Sequence, residues 1–298
     1  MLSICIPIYN YNVVKLVGDL HKQASGLSVA FEIILIDDFS DIHFKLQNES
    51  ISRLDNVKYV ELQKNIGRSK IRNLFLDYAL FDNMLFLDCD AAIVSESFVL
   101  DYITSISIDY PIICGGLFYS NKRPEKDFLL RWKYGHANEV VSPEKRAKNP
   151  YKSFKTINFL IRRDVFKSVK FDERIAGYGH EDTWFGFQLK KSGVQIKHIN
   201  NPVLHTQLET NEQFIIKTEQ SIESLLYIRD ISKDSDFEKE IALLKTFNAL
   251  TKFRILFVVK VFFWIFKPMI RALLLSGFIS INLFAFYKLG LLISKPIK

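Results

Sequence analysis

Cysteine, glycine and proline are all scarce, at 3, 12 and 8 residues in a chain of 298. So few Gly and Pro exclude a fibrous repeat or a low-complexity disordered chain. Cys5, Cys89 and Cys114 are an odd, widely separated set with no zinc-site or redox spacing. A disulfide framework is therefore not expected, and a reducing compartment is. No internal repeat is visible. No secretory leader is expected either, because Met1 is followed at once by Leu2-Ser3-Ile4-Cys5-Ile6-Pro7, which reads as a strand. Acid is missing altogether from residues 251–298, which carry 8 Lys and Arg, while residues 1–250 are near neutral with 32 basic and 33 acidic residues. A nucleic-acid protein would carry its basic excess on the folded body, so nucleic acid is not expected as a partner. A basic apolar tail points to an anionic membrane surface.

Apolar residues make up 48% of the chain and aromatics 14%, enough for one large α/β domain, with or without an appendage. Short apolar runs alternate with helical patterns. Leu2–Ile8, Phe31–Ile36, Val57–Leu62 and Met84–Leu87 read as strands, with helices expected over Val13–Ala24 and Ser69–Phe81. This alternation predicts parallel strands joined by right-handed crossovers and buried on both faces. Ile112–Tyr119 and Thr156–Ile161 are further candidate strands. Lys122–Tyr151 reads as a long loop with a helix, and residues 210–250 as amphipathic helix. Gly177-Tyr178-Gly179-His180-Glu181-Asp182 opens a helix that runs to about Lys191 and stops at Gly193.

In open α/β sheets, ligands bind beyond the carboxyl ends of the strands. Pro7–Asn10, Asp37-Asp38 and Asp88-Cys89-Asp90 all follow strand ends, so they are expected on one rim. Each has a plain and a functional reading. Asp88-Cys89-Asp90 is a capped turn or a divalent-cation site facing a diphosphate. Asp37-Asp38 is an Asx turn or a hydrogen-bonding site for a nucleobase or ribose. Asn65-Ile66-Gly67-Arg68 is a turn before a helix, or a loop that brings Arg68 or Arg72 to phosphates. Glu181-Asp182 complements a helix dipole, or one carboxylate orients an acceptor hydroxyl while the other removes its proton. His205 is an ordinary histidine or a metal ligand, with His198 as its competitor.

Taken in order, Ser3-Ile4-Cys5-Ile6-Pro7-Ile8-Tyr9-Asn10, Ile36-Asp37-Asp38-Phe39-Ser40, Asn65-Ile66-Gly67-Arg68, Asp88-Cys89-Asp90 and Gly179-His180-Glu181-Asp182 resemble the family-2 glycosyltransferases of the GT-A fold over about residues 1–210. The Glu-Asp block followed by His205 is most similar to the branch of chondroitin-polymerase-type and galactosyltransferase-like enzymes. The resemblance implies a Rossmann-like, mostly parallel nucleotide-binding sheet and a nucleotide-sugar donor, most simply a UDP-sugar. It implies that Pro7 and Tyr9 line the base pocket, that Asp38 accepts from the base, and that Asp88 contacts ribose or sugar. Asn10, Asn65, Gly67, Arg68 and Arg72 complete the donor set. Asp90 and His205, with Asp88, would hold Mn²⁺ or Mg²⁺. Asp182 would be the general base and Glu181 would bind the acceptor. One departure stands out: a small residue usually follows the paired aspartates, and here it is Phe39.

Residues 251–298 are rich in Phe, Leu and Ile, punctuated by Arg254, Lys260, Lys267, Arg271 and Lys288, with a break expected at Pro268. The longest charge-free run, Ala272–Tyr287, has 16 residues. As a helix it spans roughly 24 Å, short of a hydrocarbon core of about 30 Å. One or two helices lying in the membrane interface are expected, with a true span as the rival and packing on the protein as the plain alternative. The expected division is a GT-A domain over 1–210, a helical extension over 211–250 and membrane-associating helices over 251–298. The expected setting is the cytoplasmic membrane face, with a glycan or lipid-linked acceptor in envelope polysaccharide synthesis. A sugar nucleotidyltransferase would need a Gly-rich loop where Tyr9-Asn10-Tyr11-Asn12 stands. A non-catalytic nucleotide-sugar-binding adaptor would have no need of these intact acids.

Overall fold

The computed structural model describes residues 1–278 and 280–295; Ile279 and residues 296–298 of the expected tail lie outside them. The strands are β1 (Leu2–Ile8), β2 (Phe31–Asp37), β3 (Val57–Glu61), β4 (Asn83–Leu87), β5 (Ala91–Ala92), β6 (Ile112–Cys114), β7 (Leu117–Phe118), β8 (Asn158–Arg162), β9 (Ile196–His198) and β10 (Val203–His205). The helices are α1 (Val14–Ser25), α2 (Ile42–Asn48), α3 (Arg68–Tyr78), α4 (Phe98–Ser105), α5 (Leu129–Asn138), α6 (Pro143–Ala147), α7 (Arg163–Ser168), α8 (Glu181–Lys191), α9 (Asn211–Ser232), α10 (Ser235–Glu240), α11 (Ala242–Lys252), α12 (Leu256–Leu275) and α13 (Ile281–Ser294).

Contacts divide the chain into two compact units. The first holds residues 1–120, 140–176 and 181–207, the second holds 121–139, 177–180 and 208 onwards. These units do not follow linear boundaries at 210 and 250, because short early segments pack with late helices. In the second unit, the Leu130 amide at the start of α5 donates to Asn211 Oδ1 on α9 at 2.9 Å.

The first unit is built on a seven-stranded sheet of order β3-β2-β1-β4-β8-β6-β9. β1 to β4 pair in parallel, with Ile8 opposite Asp37 and Asp37 opposite Glu61. Their buried faces are nearly all apolar, as a sheet covered on both sides requires. The sheet is mostly parallel, as expected; β8 is the exception and runs antiparallel to both β4 and β6. Phe86 of β4 stacks on Phe159 of β8 with centroids 5.0 Å apart and meets Phe75 of α3 edge-on. The parallel register levels Tyr9, Asp38 and Asp88 at the same end of the sheet.

The run Ile112–Tyr119 is not one strand. Gly115 and Gly116 divide it into β6 of the main sheet and β7 of a second, three-stranded sheet of order β5-β10-β7. Gly116 has φ +90°, a left-handed conformation that favours glycine. A Cβ on Gly115 would lie 2.4 Å from both Asn158 Nδ2 and the Asn201 carbonyl oxygen. Asn158 uses Nδ2 to donate to the carbonyls of Gly116 and Asn201, and accepts from the Tyr102 hydroxyl at 2.6 Å.

The second unit is helical. The stretch 210–250 is three helices, since Lys233 turns left-handed at φ +48° after α9 and Asp234 caps α10. Pro268 does not break the tail. It lies inside α12, and the chain turns instead at Gly277, φ +81°. α13 is used for packing: Tyr287 donates to Glu219 of α9 at 2.7 Å, and Gly290 lies under the Phe263 ring of α12.

Gly115→Ala is expected to destabilise the protein by about 1–3 kcal/mol, because a methyl has no room in the strand switch. Urea unfolding measures it.

Candidate active site

At the ends of β1 and β2 the polar side chains bond one another. Asp37 is fully buried and accepts from the Ser40 amide at 2.6 Å and the Tyr59 hydroxyl at 2.8 Å. Ser40 Oγ accepts from the Asn10 amide, and Asn10 Oδ1 accepts from the Asp41 amide, each at 2.8 Å. Asp38 Oδ1 accepts the Ile66 amide at 2.7 Å and Oδ2 the Gly67 amide at 3.0 Å, while Asn65 Nδ2 donates to the Asp38 carbonyl at 3.1 Å. Burial pushes the Asp38 carboxyl up, against the pull of the two amides, and neighbouring Asp37 adds to the rise. Asn10, Asp38, Asn65 and Gly67, expected as direct nucleotide contacts, thus form a clasp that joins three loops. Tyr9, by contrast, stands 55% exposed on the same rim.

The next layer centres on Arg72 of α3. Its Nη2 donates to Asp88 Oδ1 at 2.7 Å and to Thr156 Oγ1 at 3.2 Å. Its Nη1 lies 3.9 Å from Glu181 Oε1, which also has Arg68 Nη1 at 3.4 Å. Glu181 is 5% exposed, so its carboxylate anchors two arginines more than it offers an open acceptor contact. Its neighbour Asp182, also in the first turn of α8, receives Lys155 Nζ on Oδ2 at 2.8 Å and the Thr183 amide on Oδ1 at 2.6 Å.

Asp90 and His205 are brought together by the small sheet, in which His205 pairs with Ala91. His205 Nε2 lies 3.4 Å from Asp90 Oδ2, and the Tyr119 ring stacks on the imidazole at 5.2 Å. The Thr206 amide and hydroxyl both donate to the Asp90 carbonyl, and Tyr11 Oη lies 2.7 Å from Thr206 Oγ1. His205 Nδ1 is buried without a hydrogen-bond partner. Among the described residues no group of three or more His, Cys, Asp or Glu gathers as a metal cage. Asp88, expected as a third ligand, is turned to Arg72. One carboxylate and one imidazole fit a hard divalent cation that takes its remaining ligands as oxygens from a diphosphate and water.

His198 does not compete with His205. Its Nδ1 lies 3.1 Å from Arg146 Nη1 and its Nε2 is 3.0 Å from the Pro150 carbonyl. Burial, chiefly, lowers its pKa to about 4, and the Arg146 charge adds to the fall. Cys89, between the two aspartates, is held as a thiol by burial and by the flanking Asp90 and Asp88 charges.

Sequence reasoning missed Lys155, Thr156, Tyr119 and Thr206. None belongs to a motif, and each reaches the site through pairing or a loop contact distant in sequence. Phe39 has φ +68° and is 52% exposed, with Lys45 Nζ 5.5 Å from its ring centroid. A bulky L-residue pays about 1–2 kcal/mol for that backbone conformation.

The mostly parallel seven-stranded sheet, with Asp90, His205 and the carboxylates of α8 in the same compact unit, is a fold of the GT-A type. The chain belongs to glycosyl transferase family 2, whose family model matches residues 3–169 and so stops short of α8 and β10. It is 23% identical to Escherichia coli chondroitin synthase over 239 residues, 69% of this chain and 34% of that protein. It is 24% identical to a Staphylococcus epidermidis teichoic acid poly(glycerol phosphate) polymerase, over 59% of this chain and 24% of that one. The chain thus spans about a third or less of these relatives. Two solved structures share the fold. A Pyrobaculum calidifontis mannosyltransferase in complex with GDP-Man and Mn²⁺ superposes with TM-score 0.54 at 10% identity, over 78% of this chain and 64% of that one. A Mycobacterium tuberculosis glucosyl-3-phosphoglycerate synthase with Mn²⁺, UDP and glucosyl-3-phosphoglycerate gives 0.51 at 14%, over 76% and 79%.

Buried neutral, His198 makes stability pH-dependent. The unfolded state, at an ordinary value of 6.5, binds a proton that the folded state refuses until about pH 4. Stability from this group is therefore complete above 6.5 and declines as pH falls towards 4. His198→Gln is expected to flatten that part of a denaturation-versus-pH curve.

Proposed function

We propose that the chain transfers a sugar, with inversion, from a UDP-sugar to a hydroxyl of a glycan or lipid-linked acceptor in envelope polysaccharide synthesis. The carrying observation is that Asp90 and His205 face each other, 3.4 Å apart, in the same compact unit as the carboxylates of α8. A fold neighbour in complex with Mn²⁺ and UDP supports the donor class. Asp90 and His205 would hold Mn²⁺ or Mg²⁺, which supplies positive charge where a departing diphosphate gains negative charge.

Asp182 is the base in this reading. Thr183 fixes Oδ1, and Oδ2, held by Lys155, takes the proton of the attacking hydroxyl. Asp88 is oriented by Arg72 towards ribose or sugar, and Glu181 keeps Arg68 and Arg72 in place beside the diphosphate. Pro7 and Tyr9 line the base. Direct displacement needs one base and one stabilised leaving group, and both have candidates here.

The site of work in this proposal is the cytoplasmic face of the cell membrane. No helix among the described residues is long and apolar enough to cross a membrane. α12 keeps an apolar outer face: Phe257, Trp264, Ile265 and Met269 are exposed, while Phe263, Ile270 and Leu274 turn inward. At about 100° per residue, Lys260, Lys267 and Arg271 form a stripe on one flank of that face. This arrangement suits a helix lying flat, with apolar side chains in the acyl boundary and cations at lipid phosphates.

Asp182→Asn is expected to retain UDP binding by calorimetry and to lose at least 100-fold in sugar transfer, on the order of a general base's contribution. Wild-type transfer by that variant would remove Asp182 from its role. In flotation assays, the protein should co-migrate with vesicles containing anionic lipid and not with neutral ones. Phe257→Glu combined with Trp264→Glu should abolish co-migration, and flotation unchanged by the pair would reject α12 as the contact.

A further inference from the structure

We infer that the acceptor is an acidic glycan, met by a row of lysines that ends on the proposed base; the inference rests on the acceptor reading above and narrows it to a substrate class. The row is Lys145, Lys148, Lys152 and Lys155. Between Pro143 and Lys155 the chain carries these four, Arg146 and a single acid, Glu144. The backbone stays coiled beyond α6: the amides of Asn149, Ser153 and Phe154 donate to the carbonyls of Arg146, Asn149 and Tyr151. One side of the coil turns inward. Phe154 is buried, and the buried Arg146 guanidinium donates to the carbonyls of Val141, Cys114, Gly115 and Ile199. The other side, at steps of three and four residues, presents Lys145, Lys148 and Lys152 to solvent. None of these three has an ion-pair or hydrogen-bond partner among the described residues.

Two contacts carry this segment along α8 to the base. A Cβ on Gly186 would lie 2.5 Å from the Tyr151 carbonyl oxygen, so the backbone at Tyr151 lies against the helix. One helical turn nearer the start of α8, Lys155 Nζ meets Asp182 Oδ2 at 2.8 Å. Like charges at helical spacing repel, and an anionic ligand on the row removes that repulsion. Lys155 shows what the ligand changes. Its ammonium occupies the oxygen that takes the proton of the attacking hydroxyl. An acid group on the acceptor offers the ammonium a second partner and leaves Oδ2 to the hydroxyl; a neutral sugar offers no such exchange. Carboxylates and phosphates on the glycan share this chemistry.

The test is calorimetric binding to the full chain at low ionic strength. The probes are oligogalacturonate, its full methyl ester and a phosphorylated maltodextrin, with UDP and Mn²⁺ titrated in parallel. One variant combines Lys145→Gln, Lys148→Gln and Lys152→Gln. A control combines Lys252→Gln, Lys260→Gln and Lys267→Gln, the same loss of charge taken from the tail. The wild type is expected to bind an acidic probe more tightly than the ester, and the tighter of the two acidic probes tells carboxylate from phosphate. The row variant should lose about tenfold for that probe, the scale of three exposed ion pairs. Its melting temperature, UDP binding and flotation with vesicles should be unchanged, and the control should keep wild-type affinity for the probe. Equal binding by row variant and wild type, an equal loss in the control, or no preference over the ester overturns the inference alone. Loss of flotation in the row variant with probe binding intact assigns the row to lipid and also overturns it. A wild type that does not bind UDP overturns the donor reading and this inference with it.

Discussion

Arg72 lies buried between Asp88, Thr156 and Glu181, and much of the rim depends on that placement. Its side chain is 4% exposed, so its charge is tolerable only with anions beside it. The anions come from different parts of the chain: one follows β4, the other opens α8. Without Asp88 the buried guanidinium would keep only the more distant Glu181 beside it, so the pair at 2.7 Å bears most of its charge compensation. The same contacts aim Asp88 and hold Glu181 in the first turn of α8, which in turn sets Asp182. A group that stabilises the fold therefore also sets the angle of the candidate chemistry.

The small sheet does comparable work for Asp90 and His205. Asp90 lies just before β5 and His205 ends β10, more than a hundred residues later, and antiparallel pairing brings them face to face. Gly115 and Gly116 make this possible, because only there can the chain leave β6 and enter β7 beside β10. The clasp around Asp37 and Asp38 is the third support. It uses the polar groups of Asn10, Asp38 and Asn65 to hold three loops together.

The second unit follows another logic. Its inner surfaces are filled by aromatic packing, such as Phe284 against Tyr134 and Phe214, and by bonds such as Tyr287 to Glu219. α13 is consumed by this packing. α12 is consumed on one side only, which separates two helices of nearly equal hydropathy into a strut and a surface.

Strand positions, crossover helices and the carboxyl-end rim were legible in the sequence, because a doubly covered sheet leaves short apolar runs and its turns collect Asp and Asn. Asp90, Asp182 and His205 could be picked out by residue type and order, and the fold brings Asp90 to His205 and sets Asp182 in the first turn of α8. Direction of pairing was not legible: β8 looks like any other buried strand, and hydropathy carries no sign for antiparallel. Neither was the use of each polar group. Asp38 and Asn10 turn inward to backbone amides, His198 is neutralised by burial beside Arg146, and Lys155 arrives from a loop with no motif. Periodicity and composition are local properties that the chain carries in itself. Which carboxylate meets a cation, an arginine or an amide depends on groups far away in sequence, and only folding brings them within the few ångströms at which such choices are made.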